Sequence, residues 1–436
     1  MAPPLGWWCF LVILAVELCS GAALAKEVSP GADYVFRHGG VYTLDSQNPW
    51  AQAVAVQGDT IVFVGSDEDS RAFVGPGTQV VDLAGLTLLP GFVDGHNHLL
   101  APFSDPTQKE LLSRLPQAGI TACQVLGFSP LRELERFLER EAPLPFRMGG
   151  VYAPEDFLLI PQEVSLPPNP SQHPPGLRGQ IVGVELDPHG GPPGSAKTED
   201  EGRLAVAQLV FQLTHLSEGE RAVHFAARGP SALPRFFLAL ETVRRRQGRL
   251  PGRVVLHSTP HLTFEDRRRL RDLKAGVCLV AEHGADLRAP WPPEDDLLEG
   301  WEGLSVAFGT DLPFTDLAQT APLRRMQRAL EAAFPLPEAR RREALARMLR
   351  GHTLEGACQM GLENAMGSIE VGKHADLVVL GGLLFDTPSN RLGDLPVLLT
   401  LMDGGETHRD PRLPAAPSPW QNAAPGRAAP PSPPVR

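Results

Sequence analysis

Residues 89–99 read LPGFVDGHNHL, and the apolar start of this segment leads into two histidines. Phe92 and Val93 have the character of a buried strand, and His96 and His98 stand two residues apart where that strand ends. Because side chains alternate between the two faces of a strand, this spacing directs both imidazoles to one side and Asn97 to the other. Two converging imidazoles favour a divalent metal such as Zn²⁺, although the same pair also occurs in ordinary polar turns.

The composition indicates a large globular protein that does not bind nucleic acid. The chain has 436 residues, 42% of them hydrophobic, which is enough for one large core and a smaller one. Its formal net charge is −11, whereas phosphate binding needs clustered Lys and Arg. Two arginine-dense stretches, Arg244–Arg246 and Arg267–Arg269, lie in helix-like segments and are predicted to be solvated faces.

The first 25 residues have the pattern of a secretory signal peptide. An apolar run from Trp7 to Val16 is too short to span a bilayer, and Ala23-Leu24-Ala25 forms a small-x-small cleavage site before Lys26. A retained anchor is the alternative, because the usual basic n-region is missing. We therefore expect a secreted or secretory-pathway protein with no stable membrane span in the mature chain.

The cysteines of the mature chain do not form a disulfide framework. Removing residues 1–25 leaves Cys123, Cys278 and Cys358, so at least one of the three is unpaired or pairs with another chain.

Short alternating apolar runs from Asp33 to Leu89 predict an antiparallel β unit ahead of the histidines. Gly58-Asp59, between two of these runs, predicts a two-residue hairpin turn.

After His98 the pattern changes to apolar strands separated by amphipathic helices. Together with Phe92–His98, the predicted strands are Gly119–Gly127, Phe146–Tyr152, Ile181–Asp187, Arg221–Ala226, Arg253–His257, Gly276–Ala281 and Ser305–Asp311. The predicted helices among them are Thr198–Leu216, Leu233–Gln247, Phe264–Lys274 and Leu323–Ala333. Strands buried on both faces and alternating with helices predict a parallel sheet, and eight of them fit a closed (β/α)₈ TIM-like barrel. The proline-rich stretch Pro154–Gly179 has no helical period and is predicted to be a long loop.

Active sites of such barrels lie at the carboxyl ends of the strands. The polar residues that close the predicted strands are His96, His98, Glu185 or Asp187, His224, His257 and Asp311. Three of these positions have an alternative interpretation. His224 could be a buried core histidine, Asp311 could be a helix N-cap, and His261 could take the place of His257 as a ligand.

Two segments of the sequence resemble the amidohydrolase superfamily. PGFVDGHNHL is similar to its first metal-binding strand, P-G-[FL]-[IV]-[DN]-x-H-x-H, and Gly367–Leu380 is similar to its G-x-[IL]-x-x-G-x-x-A-D-[LF]-V-[VI] stretch, which returns the chain to a small β domain. Within the superfamily the chain most resembles the YtcJ-like (Amidohydro_3) branch, from Asp33 to Gly404.

The resemblance implies an α/β fold in which a β-sandwich domain, built from N- and C-terminal strands, flanks the barrel. The implied parts are a signal peptide (1–25), the first part of the β domain (26–89), a metal-dependent hydrolase barrel (90–350), the last helix with the rest of the β domain (351–410), and a Pro/Ala-rich disordered tail (411–436).

The resemblance also assigns roles to the strand-end residues. The implied metal ligands are His96, His98, Glu185, His224, His257 and Asp311, holding one or two divalent ions, with Zn²⁺ favoured. Asp311 is the implied general base and acid, and His257 or His261 the group that hydrogen-bonds the developing oxyanion. Arg228 and His283, at other strand ends, are candidates for binding a substrate carboxylate, and His261, beyond the end of its strand, is a further candidate for binding substrate.

The branch usually has lysine at the position of Glu185, so Glu185, with Asp187 as the alternative, would bridge two ions as a carboxylate. It also usually reads H-A-x-G-D where this chain has His224 to Arg228, and has glutamate where Leu256 stands.

These features predict a secreted metal-dependent hydrolase of a non-peptide or small-peptide C–N bond: that of an N-acyl or N-formyl amine, a cyclic amide or a small dipeptide. A catalytically silent fold used for binding is one alternative, because of the changes around His224 and Leu256. A metal hydrolase of esters, lactones or phosphoesters is the other. The sequence leaves the oligomeric state open, a homo-oligomer included.

Overall fold

The computed structural model describes residues 31–99, 106–128, 144–152, 179–186, 199–216, 222–226, 232–250, 252–258, 262–280, 301–333 and 335–413. The predicted signal peptide, residues 154–178 of the predicted long loop and the tail from Pro414 lie outside these ranges. None of the helices in the described part combines the length and apolar character that crossing a bilayer requires.

The first described segment is a series of short strands that end at the histidine motif. Their bounds are β1 Tyr34–Arg37, β2 Gly40–Tyr42, β3 Trp50–Ala51, β4 Ala53–Gln57, β5 Thr60–Gly65, β6 Gln79–Asp82 and β7 Thr87–Pro90. The predicted hairpin is confirmed: β4 and β5 pair antiparallel, with Gln57 opposite Thr60. Gly58 has φ 60°, a left-handed conformation that glycine adopts without steric cost.

Within the described residues, eight strands form one parallel sheet in sequential order. Their bounds are β8 Phe92–Asn97, β9 Ile120–Phe128, β10 Arg147–Tyr152, β11 Gly179–Leu186, β12 Ala222–Ala226, β13 Val254–Ser258, β14 Gly276–Val280 and β15 Val306–Gly309. Every neighbouring pair is parallel. The predicted strands are therefore confirmed to within two residues at nearly every end.

The two outer strands of this sheet also meet. The amide of Asp311, just after β15, donates to the carbonyl of His96 at 3.0 Å, and the amide of His98 donates to the carbonyl of Leu312 at 2.7 Å. Gly309 lies so close to His96 that a Cβ at this position would overlap the histidine. The ends of β8 and β15 are thereby held side by side.

Helices follow or separate these strands. Their bounds are α1 Pro106–Arg114, α2 Glu199–Leu216, α3 Ala232–Gln247, α4 Phe264–Asp272, α5 Leu317–Thr320, α6 Pro322–Ala332, α7 Glu338–Gly351 and α8 Leu354–Met360. Helix α4 begins with a capping box in which Thr263 and Asp266 each bond the other's backbone N–H. The largest apolar cluster lies between the sheet and these helices, and includes Phe92, Phe225, Phe236 and Leu256.

One expectation about the helices is wrong. Arg267, predicted to lie on a solvated face, is buried, with its guanidinium 5.1 Å from the Trp301 ring centroid. Arg268 is exposed as expected, whereas Arg269 is half-buried against Phe237 and pairs with Glu241. The stem and planar head of an arginine pack well on aromatic rings, so a run of arginines on a helix need not face water throughout.

The last described segment returns to the strands with which the chain began. Its strands are β16 Leu377–Leu380, β17 Val397–Met402 and β18 Gly405–Arg409. β16 pairs antiparallel with β7. Strands that precede the parallel sheet in the sequence and strands that follow it therefore belong to one six-stranded sheet, and a second sheet contains the four strands β5, β4, β1 and β6. One buried apolar cluster contains residues of both, among them Phe36, Val56, Leu377 and Leu399.

Candidate metal centre

His96, His98 and Asp311 lie together at the carboxyl end of the parallel sheet. The Nε2 atoms of the two histidines are 3.1 Å apart, and Asp311 Oδ1 lies 3.7 Å from His96 Nε2 and 3.6 Å from His98 Nε2. One ligand atom from each residue falls within 4.8 Å of the others. His96 and Asp311 are buried, while His98 is partly exposed. Two imidazole nitrogens and a carboxylate oxygen at these distances are a donor set that suits Zn²⁺.

The orientation of His98 is fixed by the neighbouring strand. Its Nδ1 lies 3.2 Å from the carbonyl oxygen of Leu126, which can only accept a hydrogen bond. The proton therefore belongs on Nδ1, which leaves the lone pair of Nε2 facing His96 and Asp311. A carbonyl partner of this kind is the usual device for orienting a metal-binding histidine.

His257 and His224 extend the cluster inwards. His257 Nδ1 lies 2.8 Å from His96 Nδ1, and its Nε2 lies 2.8 Å from His224 Nδ1. Burial lowers the pKa of His224 to about 3. Burial, followed by the neighbouring imidazoles of His96, His224 and His98, lowers the pKa of His257 well below its ordinary value. Both rings are therefore neutral near pH 7, the form in which histidine can bind a metal or relay a hydrogen bond.

Gln124, which the sequence reasoning overlooked, ends this series of polar side chains. It lies on β9, is fully buried, and places its side-chain nitrogen 2.9 Å from His224 Nδ1 and 3.3 Å from His224 Nε2. The available signal was a single amide side chain within the otherwise apolar run Ala122–Leu126. A buried polar group in a strand calls for a partner, and here the partner belongs to the candidate site.

Asp94 is the second overlooked residue. Its carboxylate is buried two residues before His96 and accepts hydrogen bonds from Thr310 and Asn97. Burial raises the pKa of Asp94, although the hydrogen bonds from Thr310, Asn97 and the His96 amide oppose that rise. The sequence showed this aspartate within the histidine motif but gave no sign that its partner would be Thr310, far along the chain.

The remaining predicted site residues stand as follows. Glu185 lies on β11 with its backbone opposite His224, and its side chain is not described. Asp187, Arg228, His261 and His283 lie outside the described residues. Phe314, half-exposed with its ring 5.5 Å from that of His98, contributes an apolar wall beside the histidines. The described residues thus form a buried polar cluster with one partly exposed imidazole.

The chain is similar in sequence to several curated proteins. The chain is 27% identical over 386 residues to an imidazolonepropionase of Shouchella clausii, a match that covers 77% of this chain and 80% of that protein. It is 42% identical over 67 residues to an N-substituted formamide deformylase of Arthrobacter pascens, covering 15% of this chain and only 12% of that protein. The two curated relatives that follow it in similarity are likewise matched over only 12% and 14% of their length.

Solved structures show the same fold at low sequence identity. A zinc-bound adenosine deaminase of Xanthomonas campestris matches with a TM-score of 0.57 and 17% identity, over 86% of this chain and 93% of that one. The zinc complex of atrazine chlorohydrolase TrzN from Arthrobacter aurescens TC1 matches with a TM-score of 0.55 and 19% identity, over 86% and 94%.

The sequence also matches a family model over most of its length. Residues 108–408 match Amidohydro_3, the amidohydrolase family. This range contains β9 to β17 and all but the last residue of β18, and therefore His224, His257 and Asp311. The chain belongs to the amidohydrolase family.

Proposed function

We propose that this chain is a metal-dependent amidohydrolase that cleaves a C–N bond in a small molecule. The observation that carries the proposal is the convergence of His96 Nε2, His98 Nε2 and Asp311 Oδ1 within 4.8 Å. The names of its relatives, a formamide deformylase, an imidazolonepropionase and an adenosine deaminase, agree with chemistry at carbon–nitrogen bonds. The proposed substrates are N-acyl or N-formyl amines, cyclic amides and small dipeptides.

The proposed mechanism assigns a task to each described side chain. His96, His98 and Asp311 would hold a divalent ion, in our proposal Zn²⁺, which would supply a water of lowered pKa, towards about 7, and a positive charge for the substrate carbonyl. Asp311 takes a proton from the attacking water and later delivers it to the leaving nitrogen. His257, neutral and hydrogen-bonded through both ring nitrogens to His96 and His224, holds the His96 ring in place. Because its one N–H is used in these contacts, the proposed donor to the developing oxyanion is His261.

We propose that the centre holds a single ion. The short N···N contacts of 2.8 Å that join His257 to His96 and to His224 are hydrogen-bond distances. Ring nitrogens that hydrogen-bond each other do not both offer a lone pair to an ion, because one nitrogen of each pair carries the shared proton. A second ion would therefore require His224 and His257 to separate and Glu185 or Asp187 to bridge. Arg228 and His283 remain candidates for binding a substrate carboxylate, and His261 for binding substrate.

Three further parts of the proposal concern the whole chain. We propose that the eight parallel strands close into a barrel, supported by the backbone bonds between His96–His98 and Asp311–Leu312. We propose that the two smaller sheets pack as a β-sandwich, supported by their shared apolar cluster. Residues 1–25 are proposed to be a cleaved signal peptide, which makes the mature protein secreted.

The substitution Asp311→Asn tests the catalytic proposal. Because an amide cannot accept the proton of the attacking water, we expect kcat/KM to fall by about 10²- to 10⁴-fold. The activity would be measured on a panel of N-formyl and N-acetyl amino acids, cyclic amides and dipeptides, with zinc content determined on the same samples. Asp316→Asn is the matched control, since Asp316 caps α5 and asparagine caps a helix equally well.

The panel also separates the alternatives. Lactones and aryl phosphates are included, and turnover of these alone would replace the C–N assignment by an ester or phosphoester hydrolase. Less than one equivalent of metal in the purified wild type, with no turnover, would leave a silent fold used for binding.

A further inference from the structure

We propose that Asp94 is a positioning residue of the candidate metal centre. It links the ends of β8 and β15 and so sets the distance between the two histidines on one side and Asp311 on the other. This inference rests on the proposed metal-dependent function and concerns a residue to which that function assigns no role.

The contacts of Asp94 join two segments that are more than two hundred residues apart in sequence. Oδ1 accepts from the Thr310 amide at 2.8 Å and from the His96 amide at 3.3 Å. Oδ2 accepts from the Thr310 hydroxyl at 2.6 Å and from the Asn97 side-chain amide at 2.9 Å. Four donors on one buried carboxylate use its full capacity, and such charge-assisted bonds are the stronger ones.

Each donor is a neighbour of a proposed metal ligand. Thr310 directly precedes Asp311, Asn97 lies between His96 and His98, and the His96 amide belongs to a ligand itself. A shift of Thr310 relative to β8 therefore moves Asp311 Oδ1 away from the two Nε2 atoms.

The position of Asp311 also requires external support. Its φ is 61°, a left-handed conformation that costs a non-glycine residue free energy and persists only where its surroundings hold it. Asp94 holds the preceding residue by both amide and hydroxyl, and the Asp311 amide is held by the carbonyl of His96. The strained residue is thus anchored to β8 on its N-terminal side.

The chemistry of the donors favours a carboxylate in this chain over the asparagine that the family motif also has at this position. Both groups on Oδ1 are backbone N–H groups, which can only donate. Asparagine could keep its oxygen there, but its NH₂ group would then face the Thr310 hydroxyl and the Asn97 amide. The Thr310 hydroxyl can rotate and accept a hydrogen bond from that NH₂ group. Asn97 must instead flip its side-chain amide or lose its hydrogen bond to residue 94. Asp94→Asn therefore preserves shape while it removes the charge and disturbs the link.

The test is metal binding by the full chain, read out separately from activity. Wild type, Asp94→Asn and Thr310→Val would be stripped of metal and titrated with Co²⁺, recording the visible absorption spectrum and the dissociation constant. Loss of a residue that orients metal ligands typically weakens metal binding by about 10- to 100-fold. We expect that weakening, with an altered Co²⁺ spectrum, for Asp94→Asn, and a smaller change in the same direction for Thr310→Val.

Asp376→Asn is the matched control. Asp376 is also a buried aspartate with backbone and side-chain donors, but its partner Arg147 begins β10, at the opposite end of the sheet from the candidate centre. We expect this variant to lose stability to thermal unfolding while its Co²⁺ dissociation constant and spectrum stay within about twofold of wild type. A merely structural role for Asp94 predicts the same behaviour for both variants.

The outcomes separate the two proposals. If wild type does not bind Co²⁺ or Zn²⁺, the proposed function fails and this inference fails with it. If wild type binds one equivalent and Asp94→Asn binds as tightly with an unchanged spectrum, only the positioning role is overturned. Should Asp94→Asn not fold, Thr310→Val decides the matter, because it keeps the buried carboxylate and removes one of its links.

Discussion

His352 is a buried imidazole outside the candidate centre, and its environment makes it sensitive to acid. Its ring stacks on Phe308 with centroids 4.6 Å apart, and its Nε2 finds no hydrogen-bond partner among the described residues. Burial, followed by the charge of Arg325, lowers the pKa of His352 well below its ordinary value of 6.5. The folded state therefore keeps this ring neutral at pH values where the unfolded chain protonates it.

The substitution His352→Phe tests this reasoning. Since the unfolded state binds the proton and the folded state does not, stability falls as pH drops below about 6.5, by about 1.4 kcal/mol per pH unit for one such histidine. We expect the variant, which keeps a ring against Phe308, to lose less stability between pH 6.5 and pH 5 than wild type. Urea unfolding at several pH values measures the slope. Equal slopes for the two proteins would contradict the prediction.

Sequence reasoning found the candidate metal-binding histidines and Asp311 but not the residues that hold them. His96 and His98 could be predicted because a spacing of two on a strand fixes their side. Asp94 and Gln124 could not be assigned, because their partners Thr310 and His224 become neighbours only after the sheet forms. Residues whose role depends on a distant backbone amide leave no local pattern.

At the scale of elements, the strands and helices of the parallel sheet were predictable because their period is local. Apolar runs and amphipathic repeats place β9 to β15 and α2 to α4 nearly where they occur. The pairing of β7 with β16 was not predictable from periodicity alone, since it joins Pro90 to Leu377 across the whole parallel sheet. The Gly367–Leu380 motif indicated that the chain returns, but gave no register.

A buried charge cluster links β10 to the six-stranded sheet. Arg147 lies 2.5 Å from Asp403 and 3.4 Å from Asp376, and His374 Nδ1 lies 3.0 Å from the same Asp403 oxygen. Burial opposes the charge of Asp403, but His374 and Arg147 outweigh it and lower its pKa to about 2. For Asp376 the effect of burial exceeds that of Arg147, and its pKa is raised. The cluster therefore depends on Arg147 to offset the repulsion between two neighbouring carboxylates.

Removal of that cation is expected to destabilise the junction. Arg147→Met leaves the buried Asp376 and the partly buried Asp403 without the guanidinium, and breaking a pair of this kind costs up to roughly 3–5 kcal/mol when it is fully buried. Arg412→Met, which breaks the exposed pair with Asp410, should cost no more than about 1 kcal/mol. Equilibrium unfolding in urea at pH 7 would compare the two variants. A loss for Arg147→Met as small as that for Arg412→Met would refute the assigned role.

The same cluster should contribute most to the free energy of unfolding between about pH 3.8 and pH 6.5. The lowered pKa of Asp403 makes its contribution present above its ordinary value of 3.8 and lost as pH falls through about 2. The contact with Asp403 raises the pKa of His374 above 6.5, so the contribution of His374 is complete below 6.5 and lost as pH rises past that raised pKa. The destabilisation by Arg147→Met should therefore be measured at pH 5 as well as pH 7.

At the scale of the whole molecule, the candidate metal centre connects the first and last strands of the parallel sheet. His96 and His98 end β8, whereas Asp311 follows β15, so an ion held by all three joins segments at the two edges of that sheet. The unfolded chain does not hold these residues together. An ion bound in this way stabilises the fold as a whole, and not only the pocket.

We therefore expect zinc to protect the protein from unfolding. Free Zn²⁺ at 100 times its dissociation constant should add about 2.7 kcal/mol to the free energy of unfolding, which raises Tm by several degrees. Thermal unfolding followed by circular dichroism, with and without chelator, measures the shift. His98→Ala is the control, because it removes the most exposed of the three ligands and little of the core; zinc should then leave Tm almost unchanged. If zinc raised the Tm of His98→Ala as much as that of wild type, the ion would bind elsewhere, and the joining of β8 to β15 through metal would have to be abandoned.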